Sequence, residues 1–194
     1  TAFPIFDVSY GLGERCQLNL VVTHLRQHDD GVEAESGLAN SVFGVKWRFY
    51  DDQKSGISAA ITPTLEFRNP ESNAVERGLA DDENTFVLPL ELQREVGGWC
   101  FNAEIGVIRP SKSESGWLYG VVVGHPLGER VEAGVELHGE AGRGFSRTTL
   151  AVNAGFRFKL TENLNLLTAV GRELHNHFDA RATLLTFVAI QWTR

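Results

Sequence analysis

The sequence predicts an all-β chain: an antiparallel up-and-down transmembrane β-barrel of about 12 strands, eleven of them visible. Three observations predict it. Apolar and polar residues alternate at period two through segments of roughly ten residues. The connections alternate strictly between short turns and longer, more charged loops. Aromatic residues gather beside the short turns. The clearest single segment is LAVNAGFRFKL at 150–160, with Leu150, Val152, Ala154, Phe156, Phe158 and Leu160 on one face and Asn153, Gly155, Arg157 and Lys159 on the other.

Taken in order, the first strand spans 3–11 and ends in the turn GLGER at 11–15. The second, 16–26, runs into a polar loop at 27–40, within which 31–40 reads as a short turn of helix. Strand 41–51 turns through DDQKSG at 51–56 into strand 56–68, and the longer loop 69–84 follows. Strands 85–96 and 99–109 flank VGG at 96–98, and 110–115 leads to strand 116–126. PLGER at 126–130 joins it to 129–140; loop 140–145 then precedes 146–160. TEN at 161–163 opens 163–173, and loop 174–181 precedes the last strand, 182–193. Val, Ile, Leu, Phe, Thr and Trp fill these segments, and Gly, Asn, Asp and Ser bound them. Short turns on one rim and long loops on the other is the outer-membrane arrangement. Single-chain bacterial barrels have an even strand number, so the eleven imply one more strand before Thr1.

Composition narrows the class. The 194 residues make one domain, 1–194, and no apolar run approaches the roughly 18 residues of a membrane helix. Hydrophobic and charged fractions of 42% and 22% suit a barrel, where only alternate residues meet lipid. The net charge of -7 argues against nucleic acid as a partner. Cys16 and Cys100 have no metal-ligand spacing and read as unpaired strand residues. The chain begins with Thr and contains no Met, as expected of a mature or trimmed product.

The two faces assign the candidate sites. Tyr10, Trp47, Phe49, Trp99, Phe101, Phe156, Phe158 and Trp192 form a lipid-facing aromatic girdle near the short turns. Aromatics also favour strands in general; their concentration at one height favours the girdle. Phe67, Phe86, Trp117 and Tyr119 make a thinner band at the opposite rim. The lumen-lining face carries Lys46, Arg48, Glu66, Arg68, Glu91, Glu95, Glu104, Glu132, Glu136, His138, Arg157 and Lys159. Such rings set pore selectivity, or they pair and plug a narrow barrel. Lys46, Arg48, Glu91, Glu132, Arg157 and Lys159 fall at about one height, which predicts an ion-paired constriction. Catalysis would need a nucleophile beside a base. His138 between Glu136 and Glu140 is the most base-like residue, and no Ser lies in a nucleophile motif, so the chain reads as no enzyme. His175, His177 and Asp179 could ligate a metal, but a polar loop accounts for them; no metal or cofactor is expected.

YGLGERCQLNL at 10–20, FGVKWRF at 43–49, YGVVVGHPLGERVEAGVELHGE at 119–140 and NAGFRFKLTENLNLLTAVGREL at 153–174 carry a resemblance. The pattern is an aromatic strand, a turn of Leu/Thr-(Gly/Asp/Glu)-Arg type, then an alternating strand. The whole chain resembles the bacterial outer-membrane β-barrels grouped as transporters of the MetA phenol-degradation pathway. That resemblance implies an outer-membrane barrel passing aromatic or other hydrophobic compounds, with no catalytic residues. The chain departs from the pattern at its QWTR end and in lacking the first strand.

The sequence therefore points to a channel or transporter for small molecules in the bacterial outer membrane, with lipid and solute as partners. Two alternatives stand beside it: a soluble or periplasmic lipocalin-like ligand-binding barrel, and a structural barrel with a blocked lumen. Facing separates the first of them. A membrane barrel turns Val131, Ala133, Val135 and Leu137 outward and Glu132, Gly134, Glu136 and His138 inward. In the lipocalin-like case Glu132, Glu136, Arg157 and Lys159 meet water, while Val131, Val135, Phe156 and Phe158 point in.

Overall fold

The computed structural model describes residues 2–27, 35–69, 73–178 and 181–193. Its elements are β1 (Ala2–Leu12), β2 (Cys16–Gln27), β3 (Glu35–Leu38), β4 (Ser41–Asp52), β5 (Ile57–Ile61), β6 (Thr64–Phe67), β7 (Thr85–Val96), β8 (Trp99–Pro110), β9 (Gly116–Pro126), β10 (Val131–Gly142), β11 (Thr149–Lys159), β12 (Leu164–Asn176) and β13 (Leu185–Trp192). All thirteen belong to one sheet in the order β1-β2-β4-β5-β7-β8-β9-β10-β11-β12-β13. β3 pairs with β2, and β6 pairs with β4 and β7. Strands adjacent on the main path are consecutive in the chain apart from those two short pieces, so the connections are hairpins. Among the described residues there is no helix.

The eleven strands on the main path are the eleven read from sequence. Two details differ. The predicted strand 56–68 is interrupted at Thr62–Pro63: Pro63 has no N–H to give a ladder, so β5 stops and β6 starts after it. The backbone stays bonded across the break, with Val45 N donating to Pro63 O at 3.0 Å and Thr62 N to Pro89 O at 3.2 Å. Segment 31–40 is not helical where it is described. Residues 35–38 form β3, whose Glu35, Ser36, Gly37 and Leu38 register against Gln27, Arg26, Leu25 and His24. Residues 31–34 lie outside the described residues.

The tightest hairpin shows how local sequence sets the turns. Gly97 and Gly98, alone between β7 and β8, have φ of 58° and 82°. Two consecutive positive φ values make the turn whose twist matches a two-residue hairpin, and glycine reaches them without a steric penalty.

The chain forms two compact units: residues 1–49, 60–89 and 107–115, and residues 50–59, 90–106 and 116–194. In the first, β1, β2 and β4 form a meander with Val8 opposite Leu20 and Leu20 opposite Phe43. Loop 69–84, where described, folds over β3 and the β4 start. In the second, β9 to β13 form a continuous meander with Gly120 opposite His138, Glu136 opposite Asn153, and Asn153 opposite Gly171. Turns 127–130 and 160–163 lie at one end of that meander, and loops 143–148 and 177–184, where described, at the other. Short and long connections are therefore sorted as the sequence predicts.

Burial is inverted relative to a water-soluble fold. Among the described residues the buried apolar side chains are Ala60, Ala74, Leu79, Ala141 and Ala151, and no large side chain is fully buried. Val135 is 55% exposed, Ile105 51% and Val170 53%. Their alternating neighbours Glu104, Glu136 and Gly171 are half-buried. Large apolar groups turned outward along whole strands while polar groups shelter behind them is the pattern of a sheet whose apolar face meets lipid.

Candidate functional site

The candidate site is the polar face of the sheet, best defined in the second unit. Period-two alternation puts Glu132, Glu136 and His138 of β10 on that face, and the registers place Pro126, Val122 and Gly120 of β9 beside them. On the other side stand Arg157, Asn153 and Ala151 of β11.

Three polar side chains here run across the strands. Glu132 Oε2 pairs with Arg157 Nη1 at 3.1 Å. Its other oxygen lies beside Gly124, 3.4 Å from where a Cβ on that residue would sit. Asn153 Nδ2 donates to Glu136 Oε2 at 2.9 Å, and the same carboxamide lies over Gly171 on the opposite side. Glu104 of β8 lies over Gly120, where a Cβ would stand 3.0 Å from its Oε1 and 3.4 Å from the Cβ of His138. Further along, Asn165 Nδ2 donates to Gln191 Oε1 at 3.2 Å. Half-buried carboxylates need such partners, since a charge withdrawn from water without one is costly. Glu91 is half-buried, Lys159 is exposed, and Glu95 accepts from Gln93 Nε2 at 2.8 Å.

In the first unit, the meander's polar face carries an uncharged and acidic ladder. Asn19 Nδ2 reaches Asp7 Oδ1 at 2.6 Å and Ser9 Oγ at 3.2 Å. Lys46 registers against Gln17. Arg48 Nη2 donates to Glu14 O at 2.7 Å, which ties it to the first turn. Glu66 lies beside Asn40 and Asp81. Arg68 pairs with Asp82 at 2.7 Å, and Lys112 reaches the other oxygen of Asp82 at 2.7 Å. Glu66 and Arg68 thus also touch residues of loop 69–84.

That loop is held by more than charge. Ala74 and Leu79 are buried against Gly37 of β3. Arg77 donates to Glu35 Oε2 at 3.2 Å and to Ser36 O at 2.8 Å. Glu83 accepts from the Lys112 and Ser113 backbone N–H groups at 2.8 and 3.0 Å and from Ser113 Oγ at 2.6 Å. Those contacts hold the Asp82 and Glu83 carboxyls below their ordinary range. For Asp82 the Lys112 hydrogen bond is the leading cause, and for Glu83 the Ser113 hydroxyl.

On the apolar face the girdle residues pair as neighbours two apart: Trp47 with Phe49 at 5.9 Å, Trp99 with Phe101 at 6.4 Å, and Phe156 with Phe158 at 5.9 Å. Tyr10, Trp47, Phe49, Trp99, Phe101, Phe156 and Trp192 are exposed, and Phe158 is half-buried. At the long-loop end Trp117 stacks on Phe145 at 6.2 Å, and Phe145 has a φ of 56°.

His175 and His177 lie 5.1 Å apart, both against the Thr148 hydroxyl, at 2.9 and 3.3 Å. This arrangement fastens loop 143–148 to the end of β12. Asp179 lies outside the described residues, and among those described no three potential metal ligands come together. Cys16 and Cys100 are free thiols.

No protein-family model matches the chain, and no curated protein matches it. Among solved structures, an outer membrane channel from Pseudomonas putida F1 superposes with a TM-score of 0.71. The alignment covers 97% of this chain and 80% of that one, at 13% sequence identity. The fold is that of an outer-membrane β-barrel. At that identity the likeness concerns backbone architecture, and no residue role is carried over. It accounts for the inverted burial: the exposed apolar face is the outer wall of such a barrel.

The candidate lumen residues read from the sequence were Lys, Arg, Glu and His, so Asp7, Ser9 and Asn19 were left out, and Asn153, though placed on the polar face, was not counted among them. Asp7, Ser9 and Asn19 alternate with Phe6, Val8, Tyr10, Leu18 and Leu20, and Asn153 alternates with Val152 and Ala154. Period two alone would have found them.

Proposed function

We propose that this chain is a channel of the bacterial outer membrane, passing small molecules along its polar face as a lumen, with lipid against its apolar face. The supporting observation is the combination of an outer membrane channel fold with half-buried Glu104, Glu132, Glu136 and Asn153, the last three paired across the strands, opposite exposed Ile105, Val135, Leu137 and Phe156. In a lipocalin-like barrel those exposed residues would form the interior. Arg157 and Lys159 are themselves exposed, at the short-turn end of β11.

The residues taken as lumen-lining are Lys46, Arg48, Glu66, Arg68, Glu91, Glu95, Glu104, Glu132, Glu136, His138, Arg157 and Lys159, joined by Asp7, Ser9, Asn19 and Asn153. The solutes are small and, by the sequence resemblance, aromatic or otherwise hydrophobic. The protein acts without a catalytic step, and nucleic acid is not a partner. Purified protein should require detergent to stay monodisperse and should open discrete conductance steps in planar bilayers. In liposomes it should speed entry of small aromatic acids and alcohols over sugars of equal size. A protein that stays monodisperse without detergent and never conducts would end this reading.

A further inference from the structure

The polar face of the second unit carries glycines beneath its long polar side chains. A strand-interior glycine gives up packing and conformational entropy, and it commonly marks a place where another group approaches closely. Here the approaching groups are identified. Glu104 lies over Gly120, Glu132 over Gly124, and the Asn153 carboxamide over Gly171. Each glycine is on the strand next to the side chain it receives. Beyond Gly120 stands His138, and from Glu132 the bridge continues to Arg157. Asn153 extends the other way to Glu136, so that Glu136, Asn153 and Gly171 make one flat polar bridge across β10, β11 and β12.

A side chain laid along the hydrogen-bonding direction of a sheet occupies little height above it. The same side chain standing upright occupies its full length. We propose that Gly120 and Gly171 are slots that hold Glu104 and Asn153 flat against the wall, and that they thereby set the open cross-section of the lumen and how far the Glu104 carboxylate reaches into it. The inference rests on the channel reading above. The two glycines act as positioning residues: Gly120 works through Glu104, and Gly171 through Asn153.

Gly120 gives the cleanest test, because its nearest neighbours are the flexible Glu104 side chain and the His138 Cβ rather than backbone. Gly134 is the control. A Cβ there would meet only Val123 O at 3.5 Å and Gly124 Cα at 3.9 Å, and no long side chain lies over it. Single-channel conductance and reversal potential under a salt gradient are measured in planar bilayers for the parent, Gly120→Ala, Gly120→Val, Gly134→Ala and the double variant Gly120→Ala/Glu104→Ala. Folding is checked by heat-modifiable gel mobility. Conductance should fall from parent to Gly120→Ala to Gly120→Val. The reversal potential should shift toward cation preference as the Glu104 carboxylate is raised into the path. The double variant should recover conductance and lose the shift, and Gly134→Ala should conduct like the parent. Folded Gly120 variants with parental conductance and reversal potential overturn the slot. So does a conductance loss that removing Glu104 fails to rescue. A parent protein that never conducts would instead overturn the channel reading.

Discussion

Loop 69–84 with its partners and the wall formed by β8 to β12 solve the same problem in opposite ways. The loop assembly resembles a fragment of a water-soluble protein. Ala74 and Leu79 are buried against Gly37, and the loop also carries the exposed ion pairs Arg68–Asp82 and Lys112–Asp82. Among the described residues, the wall from β8 to β12 buries only the small apolar side chains of Ala141 and Ala151. Its groups are satisfied sideways, strand to strand, through Glu132–Arg157 and Glu136–Asn153, while its apolar side chains turn outward. The loop therefore draws on apolar burial from water, and the wall on the backbone ladder and polar pairing, with lipid solvating the other side. Substitutions should accordingly separate into those that open the loop and those that alter the wall.

The largest effect expected is at Leu79. Leu79→Ala removes most of the loop's apolar burial, and truncating a buried Leu costs about 2–5 kcal/mol. Limited proteolysis should then cut within 69–84 while the heat-modifiable band of the barrel persists. If the whole barrel unfolds with the loop, the two regions are not energetically separate.

Asn153→Ala comes next. It leaves the half-buried Glu136 carboxylate without its carboxamide donor, a change worth about 1–3 kcal/mol. The barrel should lose its heat resistance at lower temperature, with no new cleavage in the 69–84 loop.

Acid should act on the loop before the wall. The Asp82 and Glu83 carboxyls are depressed by Lys112, Arg68 and Ser113. A depressed carboxyl lends stability that is present above its unfolded value and is lost as pH falls through the folded one. The clasp between 82–83 and 111–113 should therefore be intact at neutral pH. It should come undone only at pH values below the ordinary range of Asp and Glu carboxyls. Hydrogen exchange at the Lys112 and Ser113 amides, faster at pH 3 than a control amide with the intrinsic rate corrected, reads this directly. Because both carboxyls are exposed, high salt should weaken the Asp82 pairs as well.

The smallest stability change belongs to Arg157→Ala. Its pair with Glu132 is exposed on both sides, and such pairs contribute about 0–1 kcal/mol. Heat resistance should barely move. Conductance should rise if the pair narrows the lumen, and parental conductance from a folded variant would remove Glu132–Arg157 from any constriction.

The sequence by itself determined the strands, the sorting of short turns from long loops, and the facing of β8 and β10. All three follow from local rules: period-two alternation, turn residues, and the one-residue parity that ties a side chain to a face. Pro63 was equally legible as a ladder breaker, but a strand pattern running on both sides hid the break. Tertiary structure alone decided which polar groups meet. That Asn153 reaches Glu136 one way and covers Gly171 the other depends on the register of β10, β11 and β12, and registers relate residues 17 or 18 positions apart through turns whose length must be known residue by residue. The burial of Ala74 and Leu79 on Gly37 likewise joins segments with no shared period, so nothing in 69–84 announced a folded loop. Alternation says which face a side chain takes, and only the register says whom it finds there.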